Sequence, residues 1–104
     1  MSSPGEIYMA DMGAVGKVRP VVVVSRRDDD AVRGLVVVVP LTTTIKGGDY
    51  EVAIQKPRLL RWECVANVQG IAAISSHVLA RKIGVLDSSG LEKIRQALRA
   101  LLEL

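Results

Sequence analysis

Two unbroken apolar runs dominate the pattern of the chain, VVVV at residues 21 to 24 and LVVVVPL at 35 to 41. Branched Val side chains suit a pleated sheet better than a helix, and the absence of polar alternation predicts strands covered on both faces. Between the runs, SRRDDDAVRG carries six charges and a glycine, which predicts a solvated connection joining the two strands as a wide hairpin. Upstream, EIYMADM at 6 to 12 alternates imperfectly and stops at Gly13, the pattern of a first strand leading into the glycine loop GAVGK. Downstream, DYEVAI at 49 to 54 alternates as a half-buried strand. ECVANVQ at 63 to 69 puts Cys64, Ala66 and Val68 on one face of a fifth strand, and IAAI at 71 to 74 is read as the start of a turn or short helix.

The period then changes. Leu91, Ile94, Leu98, Leu101 and Leu102 share one face at helical spacing, which predicts an amphipathic helix over 88 to 103. Its start is signalled twice, by Asp87 as a cap or by a capping box from Ser89 to Glu92. The expected architecture is a small, mostly antiparallel sheet that curls, with one helix packed on it.

Composition narrows the picture. The 104 residues suit a single domain, 1–104, and 49% are apolar with only 3% aromatic and no Phe, so the core must be aliphatic. A net charge of +3 favours a polyanionic partner without demanding one. One cysteine precludes an internal disulfide, and MSSPGEIYMAD lacks the basic start and apolar core of a secretory signal, so a reducing cytoplasm is the expected setting. Neither valine run approaches the roughly 20 residues of a membrane span, so no membrane association is expected.

Most catalytic chemistries lack their residues. With one Cys, one His and no ligand pair at metal spacing, no usual zinc site is expected, and no cofactor is implied. His77, in SSHVL, has no nucleophile motif beside it and reads as a surface or packing residue; Cys64 reads as a buried small hydrophobe. GAVGK lacks the spacing and the final hydroxyl residue of a phosphate-binding P-loop. Two places stand out. Lys17 and Arg19 lie at the entrance of one valine strand, and Thr42, Thr43 and Thr44, followed by Ile45 and Lys46, lie at the exit of the other. In an antiparallel pair with the charged loop at one end, Arg19 and Thr42 meet at the other. A planar guanidinium fork beside short hydroxyl donors is a phosphate-binding arrangement. The residues alone equally allow solvated strand ends and a threonine turn.

Six segments in order resemble the MazF/PemK family of toxin endoribonucleases from type II toxin–antitoxin pairs: GEIYMADM at 5 to 12, RPVVVVS at 19 to 25, VVVVPLTTTIK at 37 to 46, VANVQGIAAI at 65 to 74, LARKIGVL at 79 to 86, and the closing helix. The resemblance implies a small SH3-like barrel with a C-terminal amphipathic helix, assembled as a homodimer. It implies metal-independent cleavage of single-stranded RNA to 2′,3′-cyclic phosphate and 5′-hydroxyl ends, under restraint by a cognate antitoxin protein. Arg19 matches the family's catalytic arginine in R-P, and Thr42 its catalytic threonine.

The loop before R-P departs from the family form G-S-E-Q-x-G-x-R-P and reads GAVGKVRP, which puts Lys17 forward for part of the phosphate contact. Thr43 and Lys46 join it as candidate RNA contacts, with Asn67 and Gln69 as candidate base-edge contacts or structural amides. Arginine stays protonated and is a poor base, so the proton acceptor is left among Asp11, Glu6, water and the RNA itself. A rival class is a non-catalytic module binding RNA or protein on the same barrel, as in the gyrase-directed CcdB toxins.

Overall fold

The computed structural model describes residues 2 to 11 and 18 to 104, so the GAVGK loop and Lys17 lie outside the described residues. Among the described residues, seven strands and one α-helix follow in chain order: β1 (Glu6–Asp11), β2 (Val18–Val23), β3 (Leu35–Thr42), β4 (Glu51–Ala53), β5 (Val65–Asn67), β6 (Ala72–Ser75), β7 (Leu79–Val85) and α1 (Ser88–Leu102). Single 3-10 turns at Val68–Gly70 and Ser76–Val78 link the last strands. The sheet runs β4-β5-β3-β2-β1-β7 with β6 also beside β3, and among the described residues its pairings are antiparallel.

The valine runs behave as their pattern predicts. Val22 and Val39 face the main core with Ile7, Leu41, Ala66 and Val68, against Ile94 and Leu98 of α1. Val21, Val23 and Val38 point the other way, into a second cluster with Ala10, packed by Tyr8, Val36, Ile74 and Leu79. Each valine so buried contributes about 1.5–3 kcal/mol, and the run is unbroken because neither face meets water.

β3 organises the rest. One edge carries β2, with Val38–Pro40 opposite Val21–Val23; the other is divided, Leu35–Val38 pairing with β6 and Leu41–Thr42 with β5. Pro40, which has no N–H to donate, sits where the ladder changes partner. The chain crosses there from β5 to β6 over the proline ring, and at Gly70 a Cβ would lie 2.6 Å from Pro40 Cγ, so only glycine allows that approach. This explains IAAI: Ile71 closes the 3-10 turn and Ala72–Ile74 enter strand β6, because the free edge of β3 supplies a ladder that local pattern does not reveal. β7 likewise escapes the sequence pattern, since LARKIGV is largely exposed and takes its strand conformation from pairing with β1.

The sheet curls without closing its ladder. No pairing joins β4 to β7 among the described residues; instead the segment after β4 packs on β7, where a Cβ at Gly84 would come 3.3 Å from Pro57 Cβ. The barrel description therefore holds for the shape more than for the hydrogen bonding. Of the two start signals for α1, Asp87 is used: its Oδ1 accepts from Gly90 N at 2.7 Å.

β1 and β7 are tied by Glu6, whose Oε2 accepts from Lys82 Nζ at 2.7 Å while Oε1 accepts from Ser3 N at 2.7 Å and Tyr8 OH at 3.1 Å. The lysine contact, more than the backbone and phenol donors, holds the Glu6 carboxyl below its ordinary range despite partial burial. Burial first and then the Glu6 carboxylate raise Tyr8, and Glu6 raises Lys82.

Two outcomes follow for stability. Ile94→Ala, at a site with 0% exposure, is expected to cost about 2–5 kcal/mol in urea unfolding. Because Glu6 binds its proton less readily folded than unfolded, its stabilisation is complete above the ordinary glutamate value of about 4.3 and fades as pH falls through the lower folded value. The stability gap between the wild type and Glu6→Gln, measured by denaturant titration at stepped pH, should narrow on that acid side.

Candidate active site

The β2–β3 register pairs Val21 with Pro40 and Val22 with Val39, and carried two positions further it sets Arg19 opposite Thr42. Arg19 is held on its other side by pairing with Ala10 of β1. Arg19, Thr42, Thr43 and Thr44 line one cleft of about 240 Å³. A second cleft of about 570 Å³ is lined by Lys46, Glu51, Asn67 and Gln69 and again by Thr42 and Thr44, so the threonines form a ridge common to both. The two clefts adjoin at these shared threonines and are taken together as the groove. It gathers Arg19, Thr42 and Thr43 in the first half and Lys46, Asn67 and Gln69 in the second, while Lys17 lies outside the described residues.

Strand ends supply the fixed part of this groove and a tethered loop supplies the rest. Thr42 ends β3, and its Oγ1 accepts from Thr44 N at 3.1 Å, which orients the hydroxyl and leaves its hydrogen to donate. Among the described residues no ion pair occupies the Arg19 guanidinium, which stands exposed at the start of β2. The loop beyond Thr44 is anchored by Glu51: its carboxylate accepts from Lys46 N at 3.1 Å and from Gly47 N at 2.7 Å. Gly47 and Gly48 adopt φ of 84° and 107°, a backbone that side chains rarely tolerate, and the turn they make brings Glu51 back to the Lys46 and Gly47 amides. The Glu51 charge is thus spent on backbone donors.

Two side chains of the groove carried no signal in the apolar pattern. Trp62, the only tryptophan, is 65% exposed in the Arg19 cleft, and the Arg61 guanidinium stands 5.4 Å from its ring centroid. The clue available in sequence is composition: a lone Trp flanked by Arg in a chain otherwise nearly free of aromatics.

Other candidates fall away or stand near. Glu6 lies at the far end of β1, lines neither cleft and has both oxygens engaged, so it is removed from the possible proton acceptors. Asp11, at the opposite end of β1, pairs with Val18, the neighbour of Arg19. Cys64 reaches the cleft wall but is buried, and burial pushes its thiol pKa up, the opposite of an activated nucleophile. His77 sits exposed in the turn before β7, away from both clefts. Among the described residues, no group of three or more His, Cys, Asp or Glu side chains is arranged to hold a metal ion.

Comparison with solved structures returns chains of the same architecture. An endoribonuclease from a mycobacterial species, solved in complex with its cognate antitoxin, superposes with a TM-score of 0.85 at 26% identity over 100% of this chain and 97% of the other. The Mycobacterium tuberculosis toxin MazF-mt6 gives a TM-score of 0.81 at 27% identity, covering 95% of this chain and 97% of that one. MazF in a MazE–MazF crystal structure from Deinococcus radiodurans gives a TM-score of 0.81 at 23% identity over 99% and 96% of the two chains, a likeness of fold. No curated protein sequence matches the chain at a significant level. The model of the PemK-like, MazF-like toxins of type II toxin–antitoxin systems matches residues 3–102, nearly the whole length, and the chain therefore belongs to that toxin family.

Proposed function

We propose that the chain is a metal-independent endoribonuclease that cuts single-stranded messenger RNA at selected sequences. The observation that carries this reading is the shared cleft of Arg19 and Thr42 in a member of a toxin family whose mycobacterial relative is an endoribonuclease. In the proposed reaction the RNA 2′-oxygen forms a bond to the adjacent phosphorus and the bond from phosphorus to the 5′-oxygen breaks. The products are a 2′,3′-cyclic phosphate and a 5′-hydroxyl, and the proton lost by the 2′-hydroxyl is balanced by one gained at the leaving oxygen.

Arg19 neutralises the charge that grows on the phosphoryl oxygens, and Thr42, with its hydroxyl oriented by Thr44 N, donates to one of them or aligns the attacking oxygen. The proton acceptor is Asp11, water or the RNA itself; Asp11 pairs with Val18, next to Arg19, and lines neither cleft. Lys17, Thr43 and Lys46 contact flanking phosphates, and Asn67 and Gln69 address base edges. The mycobacterial relative was solved with its cognate antitoxin, which supports restraint of this chain by an antitoxin of its own. The basic excess of the chain suits an extended acidic or apolar antitoxin segment. The enzyme acts in the cytoplasm as a homodimer.

The test is cleavage of a long single-stranded RNA in excess EDTA with mapping of the ends. The wild type should produce discrete cuts bearing 5′-hydroxyls. Arg19→Ala should slow cutting about a hundredfold or more, and Thr42→Val should slow it by about ten- to a hundredfold, with unchanged melting because neither side chain fills the core. Wild-type cutting by a folded Arg19→Ala protein would overturn the assignment, and RNA that is bound but never cut would favour the binding-module reading.

A further inference from the structure

The groove contains more than the proposed chemistry uses. Trp62 leaves most of its ring in water, at 65% exposure, although an indole buried in a core would return a large transfer energy. It stands in the same cleft as Arg19 and the threonine ridge, on the segment between β4 and β5, with Arg61 over its ring at 5.4 Å. Leu41, Leu60 and Pro20 line the same cleft, so an apolar wall backs a rim of cations. A flat π surface beside cations at a phosphate-sized site is the combination that grips unpaired nucleotides: the ring receives a base face and the cations receive the backbone.

We propose that Trp62 is a base-stacking platform that seats one unpaired base beside the phosphate held by Arg19, with Arg61 sandwiching the indole from its other side. The inference rests on the reading of the groove as an RNA site and names a substrate-positioning residue within it. The guanidinium occupies one face of the indole by a cation–π contact, so the base takes the other. Stacking is tolerant of base identity, since every base has a π face. Trp62 therefore fixes register, setting which phosphodiester reaches Arg19, while edge contacts elsewhere in the groove read the sequence.

The chain has a single tryptophan, so its emission reports on this one side chain. The probe is a labelled single-stranded 2′-deoxy oligonucleotide, which cannot be cut because it lacks the attacking hydroxyl. Binding should quench Trp emission in the wild type. Trp62→Ala should weaken affinity, read by anisotropy of the label, by about five- to a hundredfold, and Trp62→Phe should recover most of it. An abasic strand of equal length should bind the wild type as weakly as the normal strand binds Trp62→Ala. On RNA, Trp62→Ala should raise KM more than it lowers kcat. Unchanged oligonucleotide affinity in Trp62→Ala, or tight binding without quenching, would overturn the platform; the first result is also the one expected if Trp62 serves an antitoxin peptide. Failure of the nuclease reading shows separately, as RNA left intact by the wild type in EDTA.

Discussion

The antiparallel pairing of β2 on β3 is the constraint from which the molecule follows. Its register is enforced from both faces: Val22 and Val39 must reach the core beneath α1 while Val21, Val23 and Val38 fill the cluster behind. A slip of one residue would exchange these two populations and leave neither cluster filled, so the ladder has one workable alignment. That alignment also decides which polar residues emerge together where the valines end. Arg19 and Thr42 are neighbours because the hydrophobic register makes them so. The chemistry proposed for the groove is in this sense a boundary condition of the core.

The groove divides its work between stiff and adjustable parts. Arg19 and Thr42 belong to strands whose backbones are held in ladders, whereas Lys46 belongs to a loop held by one carboxylate and turned by two glycines. Groups that meet developing charge gain most from being fixed beforehand, and those that adapt to different nucleotides gain from latitude. The absence of an ion pair on Arg19 among the described residues fits the same division, since a guanidinium already satisfied would have to be released before it could bind phosphate.

Much of this was legible in the sequence, and what was not has a physical explanation. Val21–Val23 and Val36–Val39 announce buried strands through side-chain chemistry alone, and the helix face from Leu91 to Leu102 does so by period. Counting back from the charged loop was enough to bring Arg19 to Thr42. IAAI and LARKIGV were obscure because their conformation is imposed from outside, by the edges of β3 and β1, and no local pattern records a partner distant in sequence. Asp87 and Ser89 were both adequate caps on composition, and the choice fell to which oxygen the preceding backbone aims at the helix N–H groups. Trp62 stayed hidden because periodicity detects what is buried, and this ring is left outside.

The closure between β4 and β7 carries a mechanical meaning of its own. A ladder closes a sheet in steps, since hydrogen bonds and side-chain alternation together permit only shifts of two residues. The seam between β4 and β7 has no such steps among the described residues: its margins meet through packing of Pro57 on Gly84, beside a cleft of about 480 Å³. Register is thus fixed by hydrogen bonds through the middle of the sheet, where the groove takes its anchors, and by packing alone between β4 and β7.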